Sequence, residues 1–140
     1  LSIFLISPER TFPDPPTSKL TLLANADWGV EEGAAFQATA TDDMTANWAG
    51  VALYANYAFT DAVAGTLRYE NFDDEGSRLT AGALHQTINS ITGTLQYKMK
   101  DVITRLEYRT DQSTDKVYTK KDGTLDDTES TIGLEVIYSF

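Results

Sequence analysis

The last eleven residues, 130–140, read S-T-I-G-L-E-V-I-Y-S-F. In an extended strand successive side chains point to opposite sides. Ile132, Leu134, Val136, Tyr138 and Phe140 therefore share one face, and Thr131, Gly133, Glu135, Ile137 and Ser139 share the other. The same period of two predicts strands earlier in the chain. Residues 19–29 align Leu20, Leu22, Ala24, Ala26 and Trp28, and residues 47–59 align Ala49, Val51, Leu53, Ala55, Tyr57 and Phe59. Residues 62–72 align Val63, Gly65, Leu67 and Tyr69. A strand within 79–99 is clearest in its later half, where Ile91, Gly93, Leu95, Tyr97 and Met99 alternate with Ser90, Thr92, Thr94 and Gln96. Residues 102–110 align Thr104, Leu106 and Tyr108. About six strands result, which predicts an all-β, antiparallel, up-and-down sheet.

The connections alternate in length. Residues 30–45 and 112–127 read as long polar loops and 73–78 as an acidic loop with a glycine, whereas 60–61 and 98–101 read as short turns. If the C-terminal end of the last strand is periplasmic, every short turn falls on that side and every longer loop outside, the asymmetry of transmembrane barrels. Before residue 18 the pattern is different. Residues 1–6 are apolar without the basic flank or cleavage site of a signal peptide, and fit the tail of an earlier strand. Residues 11–18, T-F-P-D-P-P-T-S, form a turn or linker, because proline fits neither helix nor ladder. The expected division is thus an N-terminal remnant and Pro-rich turn over 1–17 and the strands over 18–140; the opening Leu in place of Met fits a fragment.

The two strand faces differ in chemistry. One is nearly free of charge; the other carries Lys19, Asp27, Arg68, Glu70, Arg105, Glu107, Arg109 and Glu135. A soluble sheet with one wet face produces the same alternation, so the pattern alone leaves a water-soluble barrel open. Aromatic placement favours lipid. Tyr57, Phe59, Tyr97, Tyr138 and Phe140 lie on the uncharged face near the short-turn ends, and Trp28, Tyr69 and Tyr108 lie toward the long-loop ends, as two interfacial girdles would.

Composition narrows the function classes. Eleven basic against twenty-one acidic residues give a net charge of −10, which argues against a nucleic-acid partner, since binding phosphates needs an excess of cations. Cysteine is absent, removing disulfides and thiolate metal sites. The mean hydropathy is negative and no run approaches a membrane helix, yet alternating strands escape that test. No nucleotide-binding glycine motif occurs, and the single histidine, His85, has no evident local partner for catalysis. D-Q-S-T-D at 111–115 opens like a calcium loop, but Lys116 stands where glycine is needed, so no metal site is expected.

Four runs, W-A-G-V-A-L-Y-A-N-Y-A-F-T-D (48–61), L-R-Y-E-N-F-D-D-E-G-S-R (67–78), S-I-T-G-T-L-Q-Y-K-M-K (90–100) and T-R-L-E-Y-R-T-D-Q-S (104–113), resemble the C-terminal half of outer-membrane β-barrel porins of the OmpL-like family. The resemblance covers about residues 18–140. It implies a transmembrane barrel in a bacterial outer membrane, no enzyme activity, no cofactor, and lipid bilayer and lipopolysaccharide as surroundings. Members of that family are longer, and single-chain barrels start at eight strands. Missing N-terminal strands, or further copies of the chain, are therefore expected to close the barrel. On this reading the protein is a passive channel for small hydrophilic solutes, with Arg68, Glu70, Arg105, Glu107, Arg109 and Glu135 lining the lumen. A non-conducting anchor or adhesin barrel and a soluble lipocalin-like carrier are the alternatives.

Overall fold

The computed structural model describes residues 19–31, 46–74 and 85–139. Six strands make one antiparallel sheet in chain order: β1 (Leu20–Glu31), β2 (Ala46–Ala58), β3 (Val63–Asp74), β4 (Gln86–Met99), β5 (Val102–Ser113) and β8 (Thr128–Tyr138). Two short strands, β6 (Tyr118–Thr119) and β7 (Leu125–Asp126), pair with each other in the connection before β8. No helix occurs among the described residues. The main strands are 11 to 14 residues long. At about 3.3 Å per residue, a 12-residue strand runs about 40 Å, and a tilt of about 40° reduces its height to about 30 Å, the thickness of a bilayer's hydrocarbon core.

Register follows the hydrophobic pattern. Leu95 faces Leu106 and Leu106 faces Leu134, while on the other side Arg105 lies between Gln96 and Glu135. A slip by one residue would place guanidinium and carboxylate groups among leucines, so the alternation fixes the pairing. The short connections reinforce it. Thr60 Oγ1 accepts hydrogen bonds from the backbone N–H groups of Ala62 (3.2 Å) and Val63 (3.0 Å), closing the β2–β3 turn. The β4–β5 turn is only Lys100–Asp101, because Lys98 and Met99 continue the ladder; Lys100 takes the left-handed region at φ 51°, uncommon for a non-glycine residue.

At the opposite end the strands outrun the sequence expectation. β1 extends to Glu31, β3 to Asp74 and β5 to Ser113, so residues first read as loop belong to the sheet. Polar side chains bond across the ladder there: Asn71 Nδ2 and Tyr69 Oη both donate to Asn89 Oδ1, at 2.9 and 2.8 Å. The expected loop at 112–127 is also more ordered than a solvated tract. Its β6–β7 hairpin turns through Gly123 at φ 82°, with a hydrogen bond from the Gly123 N–H to the Lys120 carbonyl and an ion pair between Lys120 and Asp126. The Pro-rich segment, the apolar residues 1–6 and Phe140 lie outside the described residues.

Burial in this sheet is reversed relative to a water-soluble fold. Among the described residues only Ala52 and Ile88 are buried hydrophobics. The buried set is otherwise polar, including Thr92 and Ser90 at 2% and 3% exposure, with Gln86 and Ser113. Meanwhile Leu22, Leu67, Leu95, Leu106, Ile132 and Leu134 are exposed, Leu134 at 71%. The apolar face of every strand from β1 to β8 is bare, forming a contiguous patch of a kind monomeric soluble proteins rarely present to water.

Candidate functional site

The polar side chains project from alternate positions of β1 to β8, and the antiparallel register sorts them into rows across the sheet. Toward the long connections, one row runs Asn25, Ala52, Glu70, Ser90, Asp111 and Glu129. The next runs Leu23, Tyr54, Arg68, Thr92, Arg109 and Thr131. Below it come Thr21, Asn56, Thr66, Thr94, Glu107 and Gly133, and then Ala58, Ala64, Gln96, Arg105 and Glu135. An acidic row therefore lies over a cationic one, with a single carboxylate beneath and a mixed row nearest the short turns. The three rows below the acidic one enclose a groove of about 710 Å³ whose walls include Tyr54, Asn56, Arg68, Gln96, Arg105 and Glu107.

All six charged residues singled out from sequence lie on this face. Arg109 Nη1 reaches Glu70 Oε2 at 2.9 Å from two strands away, and its Nη2 contacts Asp111 at 2.8 Å and donates to Ser90 Oγ at 3.0 Å. Ser90 Oγ also bonds Asp111. Arg68 pairs with Glu70 at 3.1 Å, donates to Thr92 at 3.4 Å, and sits 6.0 Å from the Tyr54 ring centroid. Arg105 donates through Nε to Gln96 (2.9 Å) and through Nη1 to Glu135 (3.0 Å). Glu107 accepts from Thr94 Oγ1 at 2.9 Å and has no cationic partner within ion-pair distance among the described residues.

Sequence reading of the charged ladder left out the groups that knit it together. Asp111, which the sequence presents as the start of the D-Q-S-T-D run, is the centre of the Arg109–Ser90 cluster, and Ser90 and Thr92 are the most completely buried hydroxyls. Cross-strand partners two strands apart depend on a register that one sequence gives only indirectly. His85 Nε2 lies 2.7 Å from Asp73 Oδ1, with both side chains exposed to solvent. Two aromatic residues, Trp48 and Phe72, also fall on the polar face, in contact with each other at 6.1 Å between centroids.

On the apolar face, Trp28, Tyr57, Phe59, Tyr69, Tyr97, Tyr108 and Tyr138 are all exposed. Tyr57 and Phe59 meet edge to face at 5.1 Å beside the β2–β3 turn, and Tyr138 pairs with Val102 next to the β4–β5 turn. Tyr108 shares a row with Leu67, through Gly93. In a sheet tilted by about 40°, two strands' separation of about 10 Å along such a row changes depth by about 6 Å, so neighbours in a row need not lie at one level of a membrane.

Among the described residues no group of three acidic or histidine side chains gathers as a metal site. Comparison with curated proteins and with solved structures gives no match. A family model described as "Putative beta-barrel porin-2, OmpL-like" matches residues 15–140, almost the whole chain and all six long strands. The extent of that match, over an all-β antiparallel sheet with an apolar outside, means that the chain belongs to the OmpL-like β-barrel porin-2 family.

Proposed function

We propose that the protein is a passive channel of a bacterial outer membrane, in which the apolar face of the sheet meets lipid and the charged rows line an aqueous path for small hydrophilic solutes. The observation that carries this reading is the reversal of burial: leucines and aromatics are bare while serine, threonine and glutamine are enclosed. In water that arrangement would waste apolar burial, worth about 25 cal/mol per Å². In a bilayer it is the low-energy one, since lipid accepts the apolar side chains and the polar groups keep water or one another.

The charged rows have a physical role in such a path. Their ion pairs are between a quarter and a half exposed, where each pair adds only about 0–1 kcal/mol of stability. Their stronger effect is a field across the lumen, which discriminates among permeating ions. No catalysis enters this mechanism. β1 and β8 each pair on one side only among the described residues, and unpaired backbone in hydrocarbon costs several kcal/mol per group. A sealed pore accordingly recruits further strands, from this protein or from other copies, to those two edges. Single-channel recordings of the full-length protein in planar bilayers test the proposal. Stepwise conductance is the expected result; an inserted but silent barrel would mean an anchor or adhesin, and a protein that stays monomeric without detergent would mean a soluble carrier.

A further inference from the structure

The charged rows do not account for Trp48 and Phe72. Alternation puts polar side chains on this face, yet at the long-loop end β2 and β3 present an indole and a phenyl ring there. Both rings lie over glycines. A Cβ built on Gly29 would meet Trp48 Cε2 and Cζ2 at 2.5 Å and Nε1 at 2.7 Å. Three ring atoms at nearly equal distance mean that the indole lies face-down on the backbone of β1. A Cβ on Gly50 would meet a single phenyl atom, Phe72 Cδ2, at 3.3 Å, so an edge of that ring reaches β2. Neither glycine has a positive φ; what each supplies is space. The indole therefore lies along the wall with the phenyl ring tilted beside it, both part-exposed.

Further along the same face stands Tyr54, with Arg68 over its ring and the Asn56–Thr66 hydrogen bond (2.7 Å) beyond. Trp48 to Tyr54 is six residues of one strand, or about 20 Å. Flat aromatic surface beside paired amide, hydroxyl and carboxylate groups is the chemistry that binds ring-shaped polyols: the ring's C–H face stacks on the π face, and its equatorial hydroxyls exchange hydrogen bonds with the polar rim. Charge selects among such ligands. The rows flanking the rings carry Asp27, Glu70, Asp111 and Glu129 against Arg68 and Arg109, an acidic entrance that repels anions.

We infer that Trp48, Phe72 and Tyr54 form an aromatic track on the polar face, leading from the long-loop end to the groove that Tyr54 lines, and that it binds neutral oligosaccharides by seating sugar rings against it. This deepens the channel reading and rests on it for the direction of transit, but binding itself can be read without conduction. The chain has two tryptophans, Trp28 and Trp48. In the full-length protein, with Trp28 and any tryptophan outside these 140 residues replaced by Phe and refolded into lipid nanodiscs, Trp48 is the only indole.

Titration with maltohexaose should shift its emission saturably, while a galacturonic acid trimer should give at least about tenfold weaker binding because each of its rings carries a carboxylate. A Gly29→Ala change, which forces the indole off its seat, should weaken maltohexaose by about tenfold, the scale of one lost stacking contact. In bilayers the same sugar should block wild-type current and block Trp48→Ala at about tenfold higher concentration. Open channels with no emission shift and no block would overturn the track and leave the channel standing. A saturable shift in a silent barrel would keep the track and remove the channel. Tighter binding of the acidic trimer would overturn the assignment to neutral sugars.

Discussion

Replacing Leu106 by Arg separates a lipid-facing from a water-facing sheet by magnitude alone. Leu106 lies on β5 between Leu95 and Leu134, well inside the strand, and is 52% exposed. If that exposure is to water, the substitution deletes no packed core and should change stability by no more than about 0.5 kcal/mol. If it is to the middle of a bilayer, the guanidinium costs about 2–4 kcal/mol. At about 1.4 kcal/mol per decade, that is a loss of about 30- to 800-fold in the folding equilibrium. Arg105, the preceding residue, points to the groove and donates to Gln96 and Glu135. Its replacement by Leu removes a part-exposed ion pair and should cost about 1 kcal/mol or less. The assay is urea-dependent folding of the full-length protein into phosphatidylcholine vesicles, followed by the mobility of unheated samples on gels. Folding unchanged by Leu106→Arg but abolished by Arg105→Leu would refute the assignment of faces.

Three further outcomes follow from the same geometry. In the intact barrel, Arg105→Gln with Arg109→Gln leaves Arg68 as the one guanidinium of these described rows, facing Glu70, Glu107, Asp111 and Glu135; reversal potentials under a KCl gradient should move toward cation preference, and less so at 1 M salt, where the Debye length falls from about 10 Å to about 3 Å. A cysteine at Asp122, in the β6–β7 hairpin, should react with a membrane-impermeant maleimide on intact cells, and one at Asp61, in the β2–β3 turn, should not. Finally, the Lys120 ammonium holds the Asp126 carboxyl below its usual range, and hydrogen bonds from Thr124 do the same for Asp122. Depressed carboxyls contribute stability above their unfolded pKa that is lost as pH falls through the folded one, so protection factors over 118–126, corrected for the intrinsic pH dependence of amide exchange, should be larger at pH 7 and fall below about pH 4.

The alternation of apolar and polar residues carried most of the fold. Strand count, strand order and the face of every charged residue in the ladder are set by a period of two, which survives in one sequence because each wrong parity would put charge against hydrocarbon. Strand ends were less legible. Asp73, Asp74 and Gln112 look like loop residues by composition, yet they extend the ladder, because backbone hydrogen bonds do not depend on hydropathy. The β6–β7 hairpin did carry a signal, the Asp122-Gly123 pair, whose glycine takes the positive φ such turns need. The Trp48 and Phe72 tiling was hidden for another reason: its partners are two glycines on neighbouring strands, and only the register reveals that ring and glycine meet.

The central claim, that the bare leucine face lies in lipid and the charged face in water, is tested most directly by nitroxide scanning along β8. These 140 residues contain no cysteine, so single cysteines at 130–138 can each be labelled without background once any cysteine elsewhere in the full-length protein is replaced. In reconstituted full-length protein, labels at Ile132, Leu134 and Val136 should be relaxed by oxygen and shielded from a water-soluble nickel chelate, and labels at Thr131, Gly133 and Glu135 the reverse. Alternation in the opposite phase, or uniform access of the chelate to both sets, would contradict the account.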